Sequence, residues 1–154
     1  MKKLELKARQ KNLLALIGEA TLSPIKIMKG MFIFSEETKK LTKSTERYEF
    51  EPYNYGPCST QIYNDLETLE SLGYIKSEPA IGQSWKYYSL TTKGLKFVDK
   101  YLNSIDSKIA KYIDSIRNYV VHTPFRKLLR DIYSNYPSYA VNSLFKNEKG
   151  KIVI

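Results

Sequence analysis

Between Ser59 and Leu72 the apolar residues fall at Ile62, Leu66, Leu69 and Leu72, a spacing that lays one stripe along a helix. Gly73 ends that helix by supplying the left-handed backbone a helix terminus favours. "YIKSEP" then reads as a short strand, "AIGQS" as a turn and "WKYYSL" as a returning strand. Thr91 caps a further helix, "TKGLKFVDKYL", which runs to Leu102. Helix, strand, turn, strand and capped helix is the order of a winged helix, with the wing over Tyr74–Leu90 and its tip near Gly82. The helix that opens this order carries Asp65, Glu67 and Glu70 and no Lys or Arg, inside a chain of net charge +9. A groove-entering helix with that charge needs explaining.

The rest of the chain is mostly helical in pattern. Leu13, Leu16, Ile17 and Ala20 predict a first helix over Leu6–Ala20. Ser23 as cap and Pro24 in the first turn open a second. Ile25, Met28 and Phe32 share one face of it, and Ile27, Met31 and Phe34 another, so this helix is expected in the core. Glu37–Arg47 is polar, basic and without period, and reads as an exposed loop. "RYEFEPYNY" alternates, with Tyr48, Phe50 and Pro52 on one side and Glu49, Glu51 and Tyr53 on the other, and predicts a strand followed by a turn at Gly56-Pro57. Ile105, Ile109, Tyr112, Ile113, Ile116, Tyr119 and Val120 form a stripe on a later helix. A last helix begins with Thr123 as cap and Pro124 in its first turn, and buries Phe125, Leu128, Leu129, Ile132 and Tyr133. The tail "NEKGKIVI" is open to pairing as a strand or to being loose.

The fold class expected is therefore mainly α with a small antiparallel β wing: a winged helix-turn-helix with a helical C-terminal extension. Residues 1–103 make the winged-helix part. Residues 104–154 pack on it or mediate dimerisation, and the whole is expected as a single compact unit. With 154 residues the chain is the size of one ordinary domain. Apolar runs such as Met31–Phe34 are far short of the roughly 20 residues a membrane span needs. The single cysteine, Cys58, excludes an internal disulfide framework, and an intracellular, cytoplasmic location is the default expectation. The positive charge is uneven: residues 1–50 and 101–154 each carry a net +5, and residues 51–100 carry −1. An anionic partner is favoured by the whole, since Lys and Arg gain affinity by releasing counterions from phosphate.

"YNYGPCSTQIYNDLETLESLGYI" also resembles the signature of the Panacea, or SocA-like antitoxin, domain family: tyrosine-x-tyrosine-glycine-proline, a serine, then a leucine-spaced helix closing in leucine-glycine. "LSPIKIMKGMFIF" is similar to that family's preceding helix. "FRKLLRDIYSNYPSYAVNS" is similar to a C-terminal segment of some of its phage-associated, bacterial and archaeal relatives. "WKYYSLTTKG" resembles the last wing strand and helix start of many winged-helix regulators. Together the matches cover about Ser23 to Ser143. The resemblance implies a helical domain of winged-helix character that either neutralises a toxin by direct contact or regulates transcription.

Double-stranded DNA is the leading partner expected. With Ile62, Leu66 and Leu69 inward, Thr60, Gln61, Asn64, Thr68 and Ser71 face out, and Gln and Asn suit an adenine edge while Thr suits a thymine methyl. Asp65 and Glu67 would flank that edge and repel phosphate. Phosphate contacts must then come from Gln83, Ser84 and Lys86 on the wing, from Lys39, Lys40 and Lys43 in the basic loop, from Lys26 and Lys29 on the second helix, or from the cluster Arg126, Lys127 and Arg130. Ordinary solvated lysines are the plainer reading of each taken singly. A homodimer through Ile105–Val120 would place two such helices on two half-sites, and packing within the chain is an equal alternative. Tyr87, Tyr88, Tyr133, Tyr136 and Tyr139 would offer a protein-binding surface, with half-burial in the core as the plainer account. The alternative function is an antitoxin or adaptor that binds a protein toxin or another protein. Catalysis is not expected: Cys58 at a helix start and His122 are single residues of their kinds, no metal-ligand cluster or phosphate-cradling glycine loop is present, and no cofactor is called for.

Overall fold

The computed structural model describes residues 5–147 and 150–154. Six helices and two short hairpins follow one another: α1 (Ala8–Ile17), α2 (Pro24–Glu37), β1 (Glu51–Tyr53), β2 (Gly56–Cys58), α3 (Thr60–Ser71), β3 (Ile75–Pro79), β4 (Lys86–Leu90), α4 (Thr92–Ser104), α5 (Ser107–His122) and α6 (Phe125–Asn135). The molecule is mainly α with a small antiparallel wing, and α1, α2, α3 and the wing have the order of a winged helix.

The wing is an antiparallel pair in which Ile75 faces Leu90 and Pro79 faces Lys86. A third strand position completes it. Leu22 exchanges both backbone hydrogen bonds with Tyr88, at 2.9 and 2.8 Å, and so ties the α1–α2 connection to β4. Gly73 takes a φ of +85° where α3 stops. Gly94 is fixed by space, because a Cβ there would stand 2.1 Å from the Tyr74 carbonyl oxygen. That contact holds the start of α4 against the start of the wing.

Ser23 caps α2 by accepting from the Lys26 amide, and Thr91 caps α4 by accepting from the Gly94 amide. The expected two-sided burial of α2 is seen: Ile27, Met28, Met31, Phe32 and Phe34 are all at 2% exposure or less. Tyr136 and Tyr139 close over Phe32 edge-on, with ring centroids 5.1 and 4.6 Å away. Buried Tyr133 donates its hydroxyl to Ser143. These tyrosines are core and rim, so the interaction surface expected from them and from half-buried Tyr88 reduces to Tyr87.

Several local expectations are corrected. The segment after α2 is not a featureless loop. The Thr38 hydroxyl donates to the Phe34 carbonyl at the helix end, and a 3-10 turn forms over Ser44–Glu46. The strand from Tyr48 shrinks to Glu51–Tyr53, and Gly56-Pro57 is not its turn but part of the partner strand, with the reversal at Asn54 and Tyr55. Residues 38–59 thus fill the place of the short turn that joins the two helices of a simpler helix-turn-helix. The last helix starts at Phe125, with Pro124 rather than Thr123 at its cap position.

On α5, Ile113, Ile116 and Val120 are buried within the chain, and the helix packs on α1 and α2. A homodimer through Ile105–Val120 would have to do without these three side chains. In the tail, Lys146 and Ile152 form an antiparallel bridge, while Glu148 and Lys149 lie outside the described residues. Among the described residues, no helix is long and apolar enough to cross a membrane.

Candidate functional site

The acidity of α3 is largely accounted for by where its carboxylates point. Asp65 stands at i+3 from Ile62 and i−4 from Leu69, so it belongs to the inward stripe, and it is 4% exposed. Arg9 Nε donates to Asp65 Oδ2 at 2.9 Å, Gln10 Nε2 to Oδ1 at 3.1 Å, and the Tyr48 hydroxyl to Oδ2 at 2.7 Å. Burial pushes this carboxyl up, but the three donors overcome it and hold the group below the usual carboxylate range. The Tyr48 hydroxyl, buried and facing that carboxylate, is pushed well above the usual phenol range. Glu70 accepts from the Ser77 hydroxyl at 2.6 Å, which fastens α3 to β3. Glu67 is then the one fully exposed carboxylate of α3. The expectation that Asp65 flanks the outward edge is wrong, and the repulsion assigned to it disappears.

The outward edge itself is divided. Thr60, Asn64 and Thr68 are exposed, and Thr68 donates its hydroxyl back to the Asn64 carbonyl. Gln61 is half-buried, and its side-chain oxygen accepts from the Glu49 amide at 2.9 Å. It fastens the segment before β1 to the start of α3, a structural duty the sequence reading did not give it.

Thr60 and Gln61 open into a groove of about 1100 Å³. Its walls come from the start of α2, the β1–β2 hairpin, the start of α3, the wing end of β4 and the junction of α5 with α6. The surface is aromatic: Tyr53, Tyr55, Tyr63, Trp85, Tyr87 and Phe125 all contribute. Trp85 and Tyr87 meet edge-on at 4.7 Å. Glu49 and Glu51 also line it, as do Lys26 and Lys29.

Both of those lysines depart from the expected phosphate role. Lys26 Nζ donates to the Val121 carbonyl at 3.3 Å. Lys29 is 3% exposed and donates to the Pro57 carbonyl at 2.7 Å. Burial lowers its ammonium to about 8, with a small opposing pull from Cys58. Lys29 is thus out of reach of any DNA backbone. No local signal in the sequence announces this: Lys29 is i+3 from Lys26 and i−7 from Glu36, on the polar side of α2, and its burial comes from other parts of the chain that cover it there. Cys58 sits in β2 rather than at the start of α3, and burial raises its thiol, so the activated thiolate of a helix start is not formed. His122 ends α5, with Nδ1 2.8 Å from the Asn118 carbonyl.

The remaining candidates do not converge on this groove. On the wing, Gln83, Ser84 and Lys86 are exposed, and Lys86 is in register with Pro79 on the sheet face opposite Trp85 and Tyr87. Lys39 pairs with Glu36 at 2.9 Å, and Lys40 and Lys43 are exposed. Lys127 pairs with Asp131 at 2.9 Å, Arg126 lies over the Phe145 ring, and Arg130 is exposed. None of these lines the groove. Sequence reasoning missed a further cluster on α4: Lys93, Lys96 and Lys100 border a smaller hollow with Leu72, Tyr74 and Phe97. Their i, i+3, i+7 spacing was the available signal.

The class defined by this arrangement is a winged-helix protein with an aromatic groove at the start of its third helix. No family model and no curated protein matches the chain. Among solved structures it is similar to a mutant of Lactococcus lactis ZitR, at 15% identity, over 88% of this chain and 73% of that one, with a TM-score of 0.38. At that score the likeness has no bearing on function.

Proposed function

We propose that this chain is a DNA-binding transcriptional regulator of winged-helix type. The observation that carries the reading is the burial of Asp65, which leaves Thr60, Asn64 and Thr68 as a mostly neutral polar edge on the helix that winged-helix proteins lay in the major groove. The exposed wing residues Gln83, Ser84 and Lys86 are free to meet the DNA backbone, and the net charge of +9 supplies general attraction to phosphate. Gln61, held by Glu49, is a support for that edge and not a base reader. Retardation of DNA from upstream of its own gene, measured against salt, tests the reading. Binding that weakens as salt rises is expected. Asn64→Ala should flatten base preference, and Lys86→Ala should weaken all sequences alike and lower the salt slope by about one. Absence of retardation at low salt sinks it.

A second reading has its own support. Tyr53, Tyr55, Tyr63 and Tyr87 are exposed around the groove, and tyrosine is favoured at protein interfaces. With Glu49 and Glu51 beside them, they suit a protein partner of basic, apolar character. The resemblance to SocA-like antitoxins points to the same role, with a toxin as partner. Co-purification with the product of a neighbouring gene, lost on Tyr53→Ala with Tyr63→Ala, is the expected result under this reading.

A further inference from the structure

Lys29 is the least compensated charge in the molecule's interior. Its ammonium has three donors and one partner, the Pro57 carbonyl. Among the described residues no carboxylate comes within 4.0 Å of it; the ion pairs found are Arg9–Asp65, Lys39–Glu36, Arg117–Asp114 and Lys127–Asp131. Taking an ammonium out of water costs several kcal/mol unless a counter-charge or further hydrogen bonds offset it (roughly, after relaxation). Lys29 is also part of the wall of the aromatic groove. An uncompensated cation at the wall of an apolar cavity is a place prepared for an anion that arrives with its own apolar body.

The other charges narrow the class of that anion. Glu49, Glu51 and Lys26 share the groove with Lys29, so its lining carries no net charge and a phosphate ester or any polyanion finds no net attraction there. A single negative charge at the end of an apolar or aromatic body satisfies Lys29 and leaves the rings to cover the rest. We propose that the groove binds a small monocarboxylate of this kind, with its carboxylate paired to Lys29 Nζ and its body against Tyr63, Trp85 and Phe125. The occupant would lie against Thr60 and Gln61, at the start of α3. The site stands whether or not α3 meets DNA.

Trp85 is the only tryptophan in the chain and lines the groove, so its fluorescence reports occupancy without a label. The wild-type protein is titrated at neutral pH with phenylpropionate and octanoate, and in parallel with phenylpropanol and octanol. At least one acid should give a saturable change below about 10 mM and bind at least tenfold more tightly than its alcohol. Lys29→Met, which keeps an unbranched side chain one atom shorter, should abolish that advantage while the far-UV circular dichroism is unchanged. Equal binding of acid and alcohol, acid binding untouched by Lys29→Met, or no saturable change with either acid overturns the proposal. Should Lys29→Met not fold, the wild-type protein still decides the matter. Acid affinity should fall about tenfold per pH unit above the pH at which Lys29 loses its proton. The alcohol corrects for the other ionisable groups at the groove, namely Lys26, Glu49, Glu51, Tyr53, Tyr55, Cys58, Tyr63 and Tyr87. A flat acid-to-alcohol ratio across that range is equally fatal.

Discussion

Asp65 and Lys29 are both buried charges on helices of the same core, and their surroundings could hardly differ more. Asp65 receives three side-chain donors, from Arg9, Gln10 and Tyr48, drawn from α1 and from the segment before β1. Lys29 gives one hydrogen bond to a backbone carbonyl, and among the described residues no carboxylate comes within 4.0 Å of it. The first charge is closed on itself and binds three parts of the chain together. The second is left open at the edge of a cavity. Burial of a charge is therefore not one signal but two. A satisfied one marks architecture, and an unsatisfied one marks a place where something from outside completes the set.

Removing the closed charge should have the largest effect. Asp65→Ala leaves half-buried Arg9 beside no acceptor and strips buried Gln10 and Tyr48 of theirs. A loss of about 3–5 kcal/mol is expected in urea unfolding, close to the whole stability of a domain this size. A loss under about 1 kcal/mol would show that the network is ornamental. The same network fixes the acid limb. The folded-state pKa of Asp65 lies below its unfolded value, so its stabilisation is whole above about pH 4 and is lost as pH falls through the folded value.

The open charge should give the same direction of pH dependence at the other end of the scale, there because burial disfavours the charged form rather than because partners favour it. Lys29 is lowered from 10.5 to about 8. Between those values the unfolded chain holds a proton that the folded chain has released, so stability should rise with pH across that window. The rise is on the order of 3 kcal/mol. Cys58 and several tyrosines titrate near the same range, so the quantity to compare is wild type minus Lys29→Met. A difference that stays constant from pH 7 to 10.5 would place Lys29 in contact with solvent or with an acid.

A smaller cut sharpens the closed site. Tyr48→Phe keeps the ring and removes one of three donors to Asp65, with an expected cost of about 2 kcal/mol. It should also raise the midpoint of the acid limb, since the carboxylate keeps only Arg9 and Gln10. An unshifted acid limb would mean that Tyr48 contributes by packing alone.

The contrast also explains what the sequence could and could not disclose. The wing, the Ser23 and Thr91 caps and the two-faced burial of α2 follow from local spacing, and all are found in the structure. Asp65 and Lys29 were both placed on the surface because charge was weighed above position. Position was the better guide for Asp65, which is in phase with Ile62 and Leu69, whereas Lys29 shares the polar side of α2 with Lys26 and Glu36 and is covered by the rest of the chain. Their partners were not legible. Arg9 and Asp65 are 56 positions apart, and no local pattern pairs them. The groove was hidden for the same reason, because its walls come from four separated stretches of chain. The bonding of Gln61 to the Glu49 amide needed the hairpin's true register, which the misplaced turn at Gly56-Pro57 had obscured.

The smallest effect expected is also the one that separates the two charges most cleanly. Lys29→Met removes an ammonium with no counter-charge and replaces it with an apolar side chain of similar length. The gain is the desolvation no longer incurred. Against it stands the Pro57 carbonyl, which loses its donor at a cost of roughly 1–3 kcal/mol. The net should be a stabilisation of about 1 kcal/mol at neutral pH, seen as a small rise in Tm, where any equivalent change at Asp65 is ruinous. The sign matters more than the size. A buried lysine kept only for the fold would make the variant less stable, by leaving the α2–β2 contact without its bond. A variant that is at least as stable as the wild type, yet no longer prefers phenylpropionate to phenylpropanol, would mean that Lys29 is retained at the expense of stability and for the sake of what it binds.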